Sequence, residues 1–220
     1  MKKSAVIFDI DGLLINSEPL WNKAASEIFR QYGILLTEQQ YALTTGLRSK
    51  EFVAHWLYEH KIPSTEYDRA EQRIIDLALT MIDKEANVMP GVEHIFQFFL
   101  QKEFKIGLAT SSPVALIELV KDKLGIRHII HASCSAQLLL LAKPHPQVYL
   151  DCAAALHTSP LACICFEDSV YGMIAAKAAR MTCVVVPSAE HIKLPHWGLA
   201  DLKLSSLQNF GDLHFNMLNH

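Results

Sequence analysis

The chain has 220 residues, half of them hydrophobic and a fifth charged, which suits one folded α/β domain with a modest insertion and argues against disorder. Its net charge of −3, with 11 histidines counted neutral, comes without a basic stripe and argues against nucleic acid as a partner. No run approaches the roughly 18 apolar residues of a membrane-spanning helix, and an odd five cysteines fit reduced thiols rather than a disulfide framework.

Residues 4–12 read Ser-Ala-Val-Ile-Phe-Asp-Ile-Asp-Gly, an apolar run that ends in Asp9, Asp11 and Gly12. It predicts a buried strand whose two carboxylates point to one side, followed by a sharp turn at Gly12. The basic start Met1-Lys2-Lys3 is a weak echo of a signal peptide, but the two acids interrupt the apolar run too early. A cytoplasmic location without a membrane partner is expected. Ser17-Glu18-Pro19 predicts a helix start with Ser17 as N-cap, and the helix runs through Trp21, Ala24, Ala25, Ile28 and Phe29 to Gly33. Helices follow at 38–43, 49–60 and 65–82, broken at Gly46 and Pro63, with no convincing strand.

From Pro90-Gly91 onward helices and strands alternate. Helices are predicted at 92–102, 113–124, 146–156 and 170–179, and strands at 104–109, near 129–132, at 161–166 and at 182–186, before a short β-α ending. Such alternation means a doubly wound, mainly parallel sheet with helices on both faces. The expected division is an α/β core of residues 1–14 and 90–220 and a helical cap of 15–89, sitting as a lid over the first strand's tip. Cys163 and Cys165 alternate within an apolar strand and are expected to pack in the core. The histidines show no zinc-ligand spacing.

Three polar sites stand where this pattern ends a strand or opens a helix. Thr110-Ser111-Ser112, before Pro113, offers hydroxyls and free N–H groups at a helix N-terminus, a natural anion site but also an ordinary cap. Lys143, held before Pro144, could serve as a point charge for phosphate or be a solvated loop lysine. Glu167-Asp168-Ser169 is a second acidic strand tip, although Asp168 could simply cap the next helix. Two acidic tips in one sheet repel unless a cation sits between them, and hard oxygen ligands favour Mg²⁺. Together these groups suit phosphoryl transfer. A calcium loop fails because Gly12 comes too early after a strand, and neither a P-loop nor a dinucleotide fingerprint is present.

Phe8-Asp9-Ile10-Asp11-Gly12, Leu108-Ala109-Thr110-Ser111, Lys143-Pro144 and Glu167-Asp168-Ser169, in this order, resemble the haloacid dehalogenase superfamily of phosphohydrolases over almost the whole chain. Within it, residues 11–21, 143–153 and 172–175 look like the bacterial 2-deoxyglucose-6-phosphate phosphatases, broad sugar- and sugar-alcohol-phosphate (hexitol) phosphatases. The resemblance implies Asp9 as nucleophile of an aspartyl-phosphate intermediate and Asp11 as acid and base. It implies Mg²⁺ on the carboxylates of Asp9 and Asp168 and on the Asp11 backbone carbonyl. Thr110, Ser111 and Lys143 would hold the phosphoryl group, with Glu167 and Ser112 in support. Arg48 and Trp21 of the cap could reach the substrate, a small phosphorylated sugar, or serve as surface and packing residues; a monomer is expected. Asn16 stands where many relatives have Asp, and 138–141 is an unusually apolar approach to Lys143. The rival is a β-phosphoglucomutase-type mutase, which resembles this chain but has His at the place of Trp21; a phospho-acceptor signalling domain is a further alternative.

Overall fold

A computed structural model of the chain describes residues 2–44 and 46–219, so Met1 of the basic start lies outside the described residues. The apolar run folds as strand β1 (Ala5–Phe8), whose side chains alternate between two cores. Val6 and Phe8 join one core and Ala5 and Ile7 the other, the period-two geometry of a strand covered on both faces. Strands β2 (Lys105–Thr110), β3 (Ala132–Ser135), β4 (Cys163–Glu167), β5 (Thr182–Val185) and β6 (Leu202–Lys203) complete a sheet of order β3-β2-β1-β4-β5-β6. All pairings are parallel. The winding reverses between β1 and β4, which opens a crevice at the carboxyl ends of the central strands.

One face of the sheet carries an aromatic core. Phe8 stacks on Phe166 (centroids 5.2 Å apart), and Phe99 meets Phe166 edge-on at 5.8 Å. Helices α5 (Val92–Gln101), α6 (Val114–Lys123) and α9 (Asp212–Leu218) lie over it. On the other face α7 (Gln147–Ala155) and α8 (Val170–Ala178) pack against small side chains, among them Cys163, Cys165 and Cys183, which are buried as thiols.

Between β1 and α5 the chain is helical: α1 (Glu18–Arg30), α2 (Glu38–Leu43), α3 (Ser49–Glu59) and α4 (Tyr67–Glu85), with α1 and α3 against α4. Buried Ala24, Ala25 and Ile28 of α1 and Ala70, Ile74 and Ala78 of α4 supply the apolar stripes that make these helices pack. The two connections to the core run side by side, with Met89 N–H donating to Leu14 O and Asn16 N–H to Asn87 O, both at 2.9 Å. Among the described residues no helix is long and apolar enough to cross a membrane.

Several boundaries shift by one to three residues, and two of the shifts have a clear physical reason. The strand expected near 129–132 begins only at Ala132, where pairing with Gly107 starts; Ile126 is buried beside a turn closed by Ile129 N–H to Ile126 O at 3.0 Å. Leu161 belongs to a 3₁₀ turn (Pro160–Ala162) rather than to β4, because the apolar run is longer than the stretch that finds a partner strand.

Candidate active site

Asp9 follows β1, and its backbone N–H donates to Phe166 O at 3.0 Å, fixing the strand tip against β4. Its carboxylate is buried with Lys143 Nζ 2.6 Å from Oδ1. The ammonium also donates to Glu167 Oε1 at 2.6 Å and to Ala109 O at 3.1 Å, which uses its three protons, and lies 4.8 Å from the centre of the Tyr149 ring. Lys143 is only 3% exposed, so it is no solvated loop lysine. Burial works to lower its pKa, but the charges of Asp9 and Glu167 outweigh it and keep the side chain an ammonium. Its bond to Pro144 is cis.

Glu167 is fully occupied. Oε1 accepts from Lys143 and from the Tyr149 hydroxyl. Oε2 accepts from the N–H groups of Asp168 and Ser169 and from Ser169 Oγ, at 3.1 to 3.2 Å. Gly172 makes room for it, since a Cβ there would stand 1.8 Å from Oε1. Ser169, not Asp168, caps α8, accepting from Gly172 N–H at 3.0 Å. That leaves the Asp168 carboxylate for the cleft. Gly12, with φ +71°, is the matching accommodation: a Cβ on it would lie 2.0 Å from Asp168 Oδ2.

Carboxylate oxygens of Asp9, Glu167 and Asp168 all lie within 4.8 Å of one another. Because the Glu167 lone pairs are spoken for, Asp9 and Asp168 are the carboxylates left to face a cation. Burial lifts Asp168 well above the usual carboxylate range, and the negative charges of Glu18, Asp9 and Glu167 add to the shift. Burial also lifts Asp9; Lys143 pulls it back, while Glu167 and Asp11 push it up. An acidic pair crowded in this way, Asp9 buried and Asp168 half-buried, fits a hard divalent ion.

Asp11 sits at the edge of the same cleft and collects donors from both halves of the molecule. Oδ1 accepts from Ser17 Oγ at 2.6 Å and Trp21 Nε1 at 2.8 Å; Oδ2 accepts from Ser112 Oγ at 2.7 Å and, more weakly, from Thr110 Oγ1 at 3.4 Å. Ser17 therefore makes no side-chain cap for α1, contrary to the sequence expectation: its hydroxyl is drawn to the Asp11 carboxylate, which binds it more strongly than a backbone N–H would. Thr110 and Ser111 are buried and line the cleft floor, and Ser111 Oγ also donates to Gly46 O, between α2 and α3, at 3.2 Å.

The helical part forms the opposite wall. Glu18, Trp21, Asn22 and Ala25 share one face of α1 and line the cleft, with Leu47, Phe52 and Ile74 beyond them. Burial, and then the charge of Asp11, raises the Glu18 carboxyl to about 7. Glu18 and Asn22, like the Tyr149 hydroxyl, were not singled out as site residues from sequence; for the first two, their i, i+4 spacing on the helix that also carries Trp21 was the available signal. Arg48 is placed elsewhere. It does not line the cleft, because its guanidinium donates to the carbonyls of Ala136 (2.9 Å), Gln137 (3.2 Å) and Leu139 (2.6 Å) and pairs with Glu51.

The haloacid dehalogenase-like hydrolase family model matches residues 6–186. Hexitol phosphatase B of Escherichia coli K12 is 40% identical over 204 residues, covering 92% of each chain. The fructose-1-phosphate phosphatase YqaB of the same organism is 27% identical over 183 residues, 83% of this chain and 96% of its own. Among solved structures, the β-phosphoglucomutase of Clostridium difficile superposes with a TM-score of 0.86 at 23% identity, covering 99% of this chain and 97% of that one.

Proposed function

The chain belongs to the haloacid dehalogenase-like hydrolase family, and from that premise we propose that it is a Mg²⁺-dependent phosphomonoesterase of small sugar or sugar-alcohol phosphates, 2-deoxyglucose 6-phosphate among them. The observation that carries the reading is the buried Asp9–Lys143 pair at the floor of a cleft roofed by α1. The pairing places a cation directly beside a carboxylate at the strand tip, where a phosphate ester would enter. The core of residues 1–14 and 90–220 supplies the chemistry, and the cap of 15–89 supplies the roof.

In this reading Asp9 attacks phosphorus, the ester P–O bond breaks, and the leaving sugar oxygen takes a proton from Asp11. Asp11 then takes a proton from the water that hydrolyses the aspartyl phosphate, which releases phosphate and restores Asp9. Ser17, Trp21 and Ser112 orient Asp11 between the two steps. Thr110 and Ser111 face the phosphoryl oxygens, and Lys143 offsets the charge on the nucleophile. The carboxylates of Asp9 and Asp168 and the Asp11 backbone carbonyl would hold Mg²⁺, which when bound neutralises phosphoryl charge. Trp21 presents a donor-only indole N–H to Asp11, so it cannot relay a proton, which favours hydrolysis over a mutase cycle.

Asp9→Asn is expected to abolish Mg²⁺-dependent phosphate release from sugar phosphates, followed with a colorimetric phosphate assay. Retention of wild-type activity in a clean preparation would overturn the assignment of the nucleophile.

A further inference from the structure

We infer that Cys134 and Cys152 form a peroxide-responsive dithiol, a modification site whose intramolecular disulfide reversibly lowers turnover. The thiol chemistry stands apart from the proposed function, whereas its effect on turnover rests on the phosphatase reading of the cleft.

The cysteines differ in access. Cys152, Cys163, Cys165 and Cys183 are buried, and among the described residues Cys134, on β3, is the one cysteine that is partly exposed. Two pairs bring thiols together. Cys165 and Cys183 are in register on β4 and β5 and are sealed in the core. Cys134 packs against the core that contains Cys152, and the two thiols meet where β3 lies against α7. This second pair joins a sulfur that a small oxidant reaches to one that it does not.

The surroundings also divide the roles. Contact with Cys152 lowers the Cys134 pKa, with burial and Asp151 acting against it, while the same contact and burial hold Cys152 as a thiol. Cys152 Sγ also donates to Leu108 O at 3.5 Å. The thiolate is the attacking form, so Cys134 reacts first and Cys152 resolves. Cys134 sulfur attacks one oxygen of hydrogen peroxide, the O–O bond breaks, and the departing hydroxide takes up the proton Cys134 released. The product is a sulfenic acid at Cys134 and one water. Cys152 sulfur then attacks Cys134 sulfur, the S–O bond breaks, and hydroxide leaves with the Cys152 proton as a second water. The two sulfurs lose the two electrons that the peroxide gains.

Both cysteines are close in sequence to groups that hold the cleft. Ser135, next to Cys134, donates through Oγ to Ser112 O at 2.5 Å, and Ser112 Oγ holds Asp11. Tyr149, one turn before Cys152 on α7, donates to Glu167 Oε1, which also accepts from Lys143. Closing the disulfide brings the sulfurs from contact to about 2.05 Å. That pulls β3 and α7 together and shifts Ser135 and Tyr149 against the groups they hold.

The test exposes the wild type to hydrogen peroxide, then maps its cysteines by alkylation and mass spectrometry while following Mg²⁺-dependent phosphate release from mannitol 1-phosphate. A Cys134–Cys152 crosslinked peptide is expected, with Cys163, Cys165 and Cys183 still free. A misplacement of 1 Å can cost about 10²-fold in rate, so a smaller shift is expected to lower kcat/KM about tenfold, in step with the crosslink. Dithiothreitol is expected to restore it. Cys134→Ser changes the partly exposed partner without opening the core, and it is expected to keep basal activity and resist peroxide. A crosslink at Cys165–Cys183 instead, oxidation of Cys134 without a crosslink, or a crosslink without loss of turnover would overturn the inference. So would equal loss of activity in the wild type and Cys134→Ser. If no ester is turned over even before oxidation, the hydrolase reading falls, and the peptide map still decides whether the dithiol exists.

Discussion

Lys143 shows how one side chain sets the state of the whole site. It neutralises two carboxylates that would otherwise be buried together, and its ammonium is held by three acceptors. Lys143→Met keeps most of the volume but leaves Asp9 and Glu167 facing each other without a counter-charge. Removing one partner from a buried ion pair typically costs about 3–5 kcal/mol, so a loss of that size is expected in the unfolding free energy, measured by urea titration. An unchanged midpoint would mean the two acids are not ionised together. At the same scale, the glycines are accommodations to carboxylates that are distant in sequence: Gly12 to Asp168 and Gly172 to Glu167. Asp9, Asp11 and the Glu167-Asp168 tip were legible in the sequence, because an acid ending an apolar run is costly without a use, whereas Lys143 alone could equally be a solvated loop lysine and was singled out through the family resemblance. Glu18 was not, since a glutamate in the first turn of a helix already has a routine electrostatic explanation.

Whole elements were legible where periodicity was long and strong, as in α1, α4 and the run of strands and helices after Pro90. Boundaries moved where an apolar run exceeded its partner strand, as at Leu161, or where isoleucines packed in a turn, as at Ile126. The contact between the helical segment and the loop after β3 could not be read from sequence, because Arg48 binds carbonyls, which every residue carries. It starts α3 as the N-cap residue and grips the loop 136–139, next to Leu138 and Leu140, which are each 91% exposed. A planar guanidinium can serve several carbonyls and Glu51 at once, whereas an ammonium cannot match that fork. Arg48→Lys is therefore expected to loosen the loop, read as faster amide hydrogen exchange over 136–141, and to raise KM more than it lowers kcat. Unchanged exchange there would show that the Arg48 guanidinium does not set the order of this loop.

At the scale of the molecule, the sheet concentrates acids at one edge, and stability should reveal what that edge is built to hold. Burial lifts Glu18 to about 7 and lifts Asp9 and Asp168 as well, each further raised by negative neighbours. A carboxyl whose pKa is higher folded than unfolded binds more protons in the native state between those two values. Its contribution is then complete below the unfolded pKa, about 4.3 for Glu, and is lost as pH rises through the folded one. Metal-free protein is thus expected to lose stability as pH rises from about 4.3 to about 7, followed as the thermal midpoint. On the proposed reading Mg²⁺ binds the deprotonated cluster, so it should restore the midpoint more at the upper end of that window than at the lower. Saturation at about 100 times Kd corresponds to roughly 2.7 kcal/mol. Glu18→Gln removes one of the titrating groups and should flatten the metal-free slope. A Mg²⁺ shift of equal size across the window would place the ion away from Asp9 and Asp168, since binding there must compete with the protons those carboxylates carry.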